Sequence, residues 1–240
     1  MGTPAELTAP AKLTLSLRLT GRRADGYHLI DAEMVSVDLC DRLTITDGDG
    51  LEVVTASGVA VPVGDENLVR TALAVVGRRA HVRLDKRIPP GAGLGGGSSD
   101  AAAILRWAGV NDPAVAARIG ADVPFCVVGG RARVTGIGEA VEPMPFVAGD
   151  FTLLTPPFGC STADVYAAWD ELGGPRAEDG GNDLEPAALA VQPGLARYRD
   201  VLREATGLRP RLAGSGSTWF VEGAFPGEDR VVVRRLPAQP

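Results

Sequence analysis

Five glycines fall within the seven residues from Gly91 to Gly97, and the run opens through Ser98-Ser99-Asp100 directly onto Ala101-Ala102-Ala103-Ile104-Leu105. Such a segment bends freely and carries no side chain between its main chain and a ligand. A flexible linker does not normally abut a helix-forming stretch, so the junction reads as a loop that ends on a helix N-terminus near Ser98. Successive N–H groups of a glycine-rich turn converge on an anion, the helix adds the positive end of its dipole, and the hydroxyls of Ser98 and Ser99 can donate to phosphate oxygens. The plain alternative is a loop with an ordinary serine cap.

The kind of phosphate site is narrowed by what surrounds the loop. Gly91, Gly93 and Gly96 satisfy G-x-G-x-x-G, but the segment after the helix, Gly109 to Gly120, reads as a turn and a second helix where a dinucleotide fold needs a strand. Gly97-Ser98 lacks the lysine of a Walker A loop. If a nucleoside triphosphate sits here, an acid and a cation must come from elsewhere. Lys12 stands after Pro10 at the start of an expected strand, and the chain has only one other lysine, Lys86, among its 24 basic residues. Asp122, in Gly120-Ala121-Asp122-Val123-Pro124, lies among apolar neighbours where a second strand is expected to begin. Read alone, Lys12 is equally a solvated surface residue and Asp122 a turn aspartate; brought together, they suit a base and its electrostatic partner. Tyr27 and His28 offer an aromatic face and an imidazole for a planar base. Gly214-Ser215-Gly216-Ser217 is either a turn or a second approach to phosphate.

Composition excludes several classes. The 24 basic and 30 acidic side chains leave a net charge of −6, which argues against a nucleic-acid partner. With 45% hydrophobic and 22% charged residues the chain can bury a core, and 240 residues suit one large domain or two small ones. Cys40, Cys126 and Cys160 fit neither a zinc knuckle nor a disulfide framework, so a reducing cytoplasm is expected. Met1 to Leu7 has no basic start or apolar run, and no stretch reaches the ~20 apolar residues of a membrane span, so neither processing nor membrane association is expected.

Periodicity predicts strands at Leu13–Leu19 and Ala32–Leu39 joined by a polar loop, Thr20–His28, then a hairpin of Leu43–Thr46 and Leu51–Thr55 around Asp47-Gly48-Asp49-Gly50. A helix is expected over Asn67–Arg79 and a strand over His81–Leu84. After the glycine loop come a short helix at Pro113–Ile119, a buried strand at Val123–Val128, and strands at Arg131–Thr135 and Phe151–Leu154. A helix over Thr162–Leu172 leads into a loose linker, Gly173–Gly181. Helices at Leu184–Ala190 and Pro193–Ala205 precede strands at Arg209–Ala213, Thr218–Val221 and Val231–Arg234. Strands and helices mix without regular βαβ alternation, which points to α+β layers in two lobes.

Together these segments resemble the GHMP kinase superfamily, whose glycine loop is similar to Pro89-Pro90-Gly91-Ala92-Gly93-Leu94-Gly95-Gly96-Gly97-Ser98-Ser99. Ala9-Pro10-Ala11-Lys12-Leu13, Thr20-Gly21-Arg22-Arg23-Ala24-Asp25-Gly26-Tyr27-His28 and Gly120-Ala121-Asp122-Val123-Pro124 resemble its branch that acts on a cytidine-diphosphate substrate. The resemblance implies a two-lobe α+β GHMP kinase fold, with a lobe like ribosomal protein S5 domain 2 over residues 1–147 and an abbreviated ferredoxin-like lobe over 148–240. It implies ATP with Mg2+ and phosphorylation of the 2-hydroxyl of a methylerythritol group, in non-mevalonate isoprenoid synthesis.

By the same resemblance Asp122 is the base and Lys12 its partner. Pro89, Gly91, Gly93, Leu94, Gly95, Gly96, Gly97, Ser98 and Ser99 hold the nucleotide phosphates, and Asn67 and Lys86 contact the adenosine. Thr14, Tyr27, His28, Thr162 and Tyr166 face the cytidyl substrate. The partner implied is a small molecule, not nucleic acid or membrane, and the chain is expected to be a monomer or weak homodimer. Thr14 and Asp100 stand where the family usually or frequently carries asparagine. The stretch between Asp100 and Asp122 is short, and Ala224–Asp229 replaces a helix.

Overall fold

The computed structural model describes residues 3–55, 61–177 and 181–238. Residues 178–180 of the expected linker, and Met1 and Gly2, lie outside them.

A long antiparallel ribbon opens the fold: β1 (Ala5–Arg22) pairs with β2 (His28–Thr46) from Ala5 opposite Ile45 to Arg22 opposite His28. The strand therefore begins before Pro10, and Lys12 lies inside it. Pro10 has no N–H for the ladder, and the register shifts between Pro10 and Lys12. β3 (Gly50–Thr55), α1 (Leu68–Val75) and β4 (His81–Lys86) follow as a βαβ unit, with β3 parallel to β4 and β4 antiparallel to β2. The expected hairpin does not form, because β4 lies between β2 and β3. Its alternating Val82 and Leu84 are fully buried and take the inner position, whereas β3 has no fully buried residue and sits at the edge.

α2 (Gly96–Trp107) starts two residues earlier than expected, after Gly95 in a left-handed conformation, and buries Ala101 through Leu105. A helix apolar on every side belongs inside. α3 (Pro113–Ala117) is capped by the Asp112 side chain. α4 (Val123–Val128) is a helix, not the expected strand. Short apolar runs fit a buried helix as well as a strand, and Pro124 is tolerated in a first turn. β5 (Arg131–Gly136) and β6 (Ala140–Met144) complete the first sheet, ordered β3-β4-β2-β5-β6 with β1 on the other edge of β2.

The second half comprises β7 (Asp150–Leu154), α5 (Thr162–Glu171), α6 (Glu185–Val191), α7 (Leu195–Thr206), β8 (Arg211–Leu212), β9 (Trp219–Glu222) and β10 (Val231–Arg234). Its antiparallel sheet runs β10-β7-β9-β8, the order of a ferredoxin-like βαββαβ unit. The crossover from β9 to β10 normally carries a helix. Here Gly223–Arg230 makes it alone, pinned where Thr152 Oγ1 donates to Gly223 O (2.8 Å) and accepts from Phe225 N (2.9 Å), with Phe225 packed on the core.

Two segments tie this half to the ribbon. Gly181–Asp183 lies along β1, through Leu17 N to Gly181 O (3.2 Å) and Asp183 N to Leu17 O (2.9 Å). Beyond β10, Arg235 bridges Val37, Leu236 N donates to Ser36 O (2.8 Å), and Ala238 bridges Gly129. The expected loose linker is held where described: Trp169 Nε1 donates to Pro175 O (2.9 Å) and Ala177 N to Asp183 Oδ1 (2.8 Å).

Candidate active site

A cleft of about 950 Å³ opens where β1, the glycine loop, α4 and α5 meet, and every site residue expected from the sequence lines it except Ser99. The irregularity at Pro10 re-aims the next strand residues, a common use of a bulge beside a site. Lys12 N donates to Leu94 O (3.0 Å), which fastens β1 to the glycine loop. The Lys12 ammonium is 3.2 Å from Asp122 Oδ2 and donates to Thr14 Oγ1 at 3.1 Å. Asp122 ends the turn before α4, where its carboxylate makes no capping bond and stays free to face Lys12. The two side chains singled out as acid and amine thus form one ion pair, with Lys12 buried and Asp122 30% exposed to the cleft. Thr14, expected to contact substrate, lines the cleft as the partner of Lys12.

The glycine loop is glycine for more than ligand access. Gly91, Gly93 and Gly95 have φ of +69°, +76° and +67°. A Cβ on Gly93 would lie 2.1 Å from Ala213 O, and one on Gly95 2.7 Å from Lys12 Cγ, so the protein itself approaches these positions. Gly97 has only Leu68 Cδ1 at 3.8 Å. The first helical bond of α2 runs from Ser99 N to Gly95 O (2.9 Å), leaving the N–H groups of residues 96–98 without intrahelical partners. Ser98 lines the cleft, and among the described residues its hydroxyl has no hydrogen-bond partner. Ser99 is different: it is fully buried, and its Oγ donates to Pro10 O at 2.6 Å. Its hydroxyl braces the loop against β1 instead of reaching the cleft.

At the end of the cleft beside α1, Asn67 Oδ1 accepts from Val69 N (3.0 Å) and its Nδ2 donates to Pro62 O (2.7 Å), which makes it the cap of α1. Lys86 is buried, its ammonium bonded to Asp41 and, at 2.7 Å, to Asp100. Asp41 also accepts from the backbone N–H groups of Arg87 (2.5 Å) and Ile88 (2.8 Å), which lead into the glycine loop. Burial, reinforced by the charge of Asp41, pushes the Asp100 carboxyl up to about 7 against the opposing pull of Lys86. Asp100 Oδ1 is buried without a hydrogen-bond partner. Reasoning from the sequence missed Asp41, whereas the scarcity of lysine and the family resemblance both marked Lys86.

At the other end, His28 lies against Tyr166 with ring centroids 5.0 Å apart and edge-on to Trp169 at 5.6 Å. Tyr27 stands exposed on the rim. Burial and the nearby Asp122 charge raise the Tyr166 phenol to about 12. Thr162 Oγ1 and Ser215 Oγ are 2.9 Å apart, which brings the 214–217 turn to the cleft. That turn and the cleft approach are therefore the same feature; a Cβ on Gly214 would lie 3.4 Å from Lys12 Nζ. Asp170 and Trp169 are not singled out by the sequence, because only the packing of α5 against the Thr20–His28 loop brings them to His28.

Comparison with known proteins bears on this geometry. The GHMP kinases N terminal domain family matches residues 67–130, a span that includes the glycine loop and Asp122. A solved structure of a 4-(cytidine 5'-diphospho)-2C-methyl-D-erythritol kinase superposes with a TM-score of 0.75 at 31% identity, covering 96% of this chain and 99% of that one. The fold is that of a GHMP kinase. The 4-diphosphocytidyl-2-C-methyl-D-erythritol kinase of Mesorhizobium japonicum is 40% identical over 96% of this chain and 89% of its own. That of Nitrobacter hamburgensis is 38% identical over 89% and 84%. The chain belongs to the 4-diphosphocytidyl-2-C-methyl-D-erythritol kinase family.

Proposed function

We propose that the protein transfers the γ-phosphoryl group of ATP to the 2-hydroxyl of 4-diphosphocytidyl-2-C-methyl-D-erythritol, a step of non-mevalonate isoprenoid synthesis. The Lys12–Asp122 ion pair beside the free N–H groups of α2 carries the reading. The triphosphate lies along the loop from Pro89 to Ser98, with Ser98 Oγ and the α2 N-terminus donating to its oxygens. The acceptor hydroxyl sits between Asp122 and the γ-phosphorus. Its oxygen forms the new P–O bond, the bond to the departing ADP oxygen breaks, and the hydroxyl proton passes to the Asp122 carboxylate. Lys12 offsets negative charge at the acid and at the transferring group.

Asn67 and Lys86 border the adenosine end, and Thr14, Tyr27, His28, Thr162 and Tyr166 the cytidyl substrate. Among the described residues no cluster of three metal-ligating side chains exists. The Ser98 hydroxyl, without a hydrogen-bond partner among the described residues, suits Mg2+ arriving on the nucleotide, since this ion takes few protein ligands and keeps phosphate oxygens and water. Bound there, the ion would neutralise phosphate charge.

Residues 1–147 would supply the nucleotide side and 148–240 much of the opposite wall. We place the enzyme in the cytoplasm, as a monomer or weak homodimer. Among the described residues no helix is long and apolar enough to cross a membrane. ADP release measured with the cytidyl substrate beside mevalonate and homoserine tests the reading: release should depend on the cytidyl compound. Equal release with either other alcohol, or none with any of the three, would overturn it.

A further inference from the structure

The contact between His28 and Asp170 has no part in the phosphoryl transfer, yet it is built with care. The His28 side chain is 9% exposed, wedged between Tyr166 and the edge of Trp169, and its Nε2 lies 2.8 Å from Asp170 Oδ1. Trp169 is itself fixed by its bond to Pro175 O, and Asp170 by a second pair, 3.4 Å from Arg22. Arg22 Nε in turn donates to Gly26 O (3.0 Å) in the loop that carries His28. Among the described residues nothing is bonded to His28 Nδ1, and His28 lines the cleft.

A carboxylate only accepts, so it draws the proton of a neutral imidazole to Nε2 and leaves a lone pair on Nδ1. The lone-pair nitrogen distinguishes pyrimidines by the substituent at C4. The amino group of cytosine donates to it, whereas the carbonyl of uracil meets it lone pair to lone pair.

We infer that Asp170 is a specificity-determining positioning residue: through the His28 tautomer it makes the base subsite a receptor for the exocyclic amino group of cytosine and turns uracil away. This rests on the cytidyl-substrate reading above and adds to it the device that chooses the base. Asp170→Asn offers Nε2 either an accepting carbonyl or a donating amide, so the imidazole proton is no longer held at that atom and the preference loses its cause.

The test uses calorimetric titration of the full chain with CMP and with UMP, together with long-range nitrogen–proton spectra. Those spectra are readable because the chain has only two histidines. Wild type should bind CMP about 10- to 100-fold more tightly than UMP, the effect of one mismatched hydrogen-bonding group. Its His28 should carry the proton on Nε2. In Asp170→Asn the ratio should fall towards one and the proton should no longer be confined to Nε2. Glu171→Gln, which changes an exposed carboxylate next to Asp170 that does not line the cleft, should keep the preference.

Equal binding of CMP and UMP by wild type, or a wild-type proton on Nδ1, would overturn the inference while leaving the kinase reading intact. So would an unchanged ratio in a folded Asp170→Asn. Binding of neither nucleotide would overturn both. The wild-type spectrum decides the tautomer even if the variant does not fold.

Discussion

In the proposed transfer Asp122 takes the proton and Lys12 offsets the charge, and their separation of 3.2 Å sets what substitution should do. Asp122→Asn keeps the shape but cannot take the proton, so turnover with the cytidyl substrate should fall by about 10²- to 10⁴-fold while the melting temperature stays close to wild type. Lys12→Ala should lose a comparable amount in turnover. Near-normal rates in both purified variants would remove the assigned roles. Asp100 supplies a different measurement. Its folded carboxyl is pushed up from 3.8 to about 7, so the folded chain holds the proton more tightly than the unfolded one. That contribution to stability is complete below about pH 3.8 and is lost as the pH rises through about 7. Asp100→Asn removes it, so melting temperatures followed from pH 4 to 7.5 should decline less in the variant than in wild type; parallel curves would refute it. As cleft residues, Lys12, Tyr27 and His28 were legible because rare residue types stood in compact motifs, and Asp122 because an acid stood among apolar neighbours. Asp41 and Asp170 were not, since each reaches its partner only through tertiary packing.

At the level of elements, the glycine loop announced its helix, but the division of labour inside Ser98-Ser99 was hidden. Which hydroxyl points inward depends on where α2 begins, and the left-handed Gly95 moves that start to Gly96. Ser98→Ala should weaken ATP binding by about three- to tenfold, the value of one hydrogen bond, with little change in stability. Ser99→Ala should do the reverse, costing about 1–3 kcal/mol in urea unfolding with ATP affinity nearly unchanged, because it removes the donor to Pro10 O. Paired titration and unfolding experiments would expose an exchange of these roles. The two misread elements have different physical causes. Val123–Val128 is apolar throughout, so periodicity has nothing to distinguish. The turn at Asp47-Gly48-Asp49-Gly50 favours a local hairpin, but burying Val82 and Leu84 of the later strand outweighs local turn chemistry.

Across the whole molecule, α+β layering in two lobes was readable from the mixture of elements, and the missing helix from the few residues between Glu222 and Val231. What joins the lobes was not, because the main-chain bonds of Gly181–Asp183 and of Arg235–Ala238, and the Asp183 carboxylate on Arg18 and Leu19 N, are brought together only by packing. Removing residues 235–238 should therefore split the calorimetric unfolding of the protein, expected as one transition, into two; a single unshifted transition would show that the lobes are coupled elsewhere. The same two stitches bear on how the enzyme meets its substrates. With both lobes sewn to one long ribbon, the walls facing ATP and the walls facing the cytidyl compound keep a common frame. Neither ligand has to build the other's berth before it can be filled.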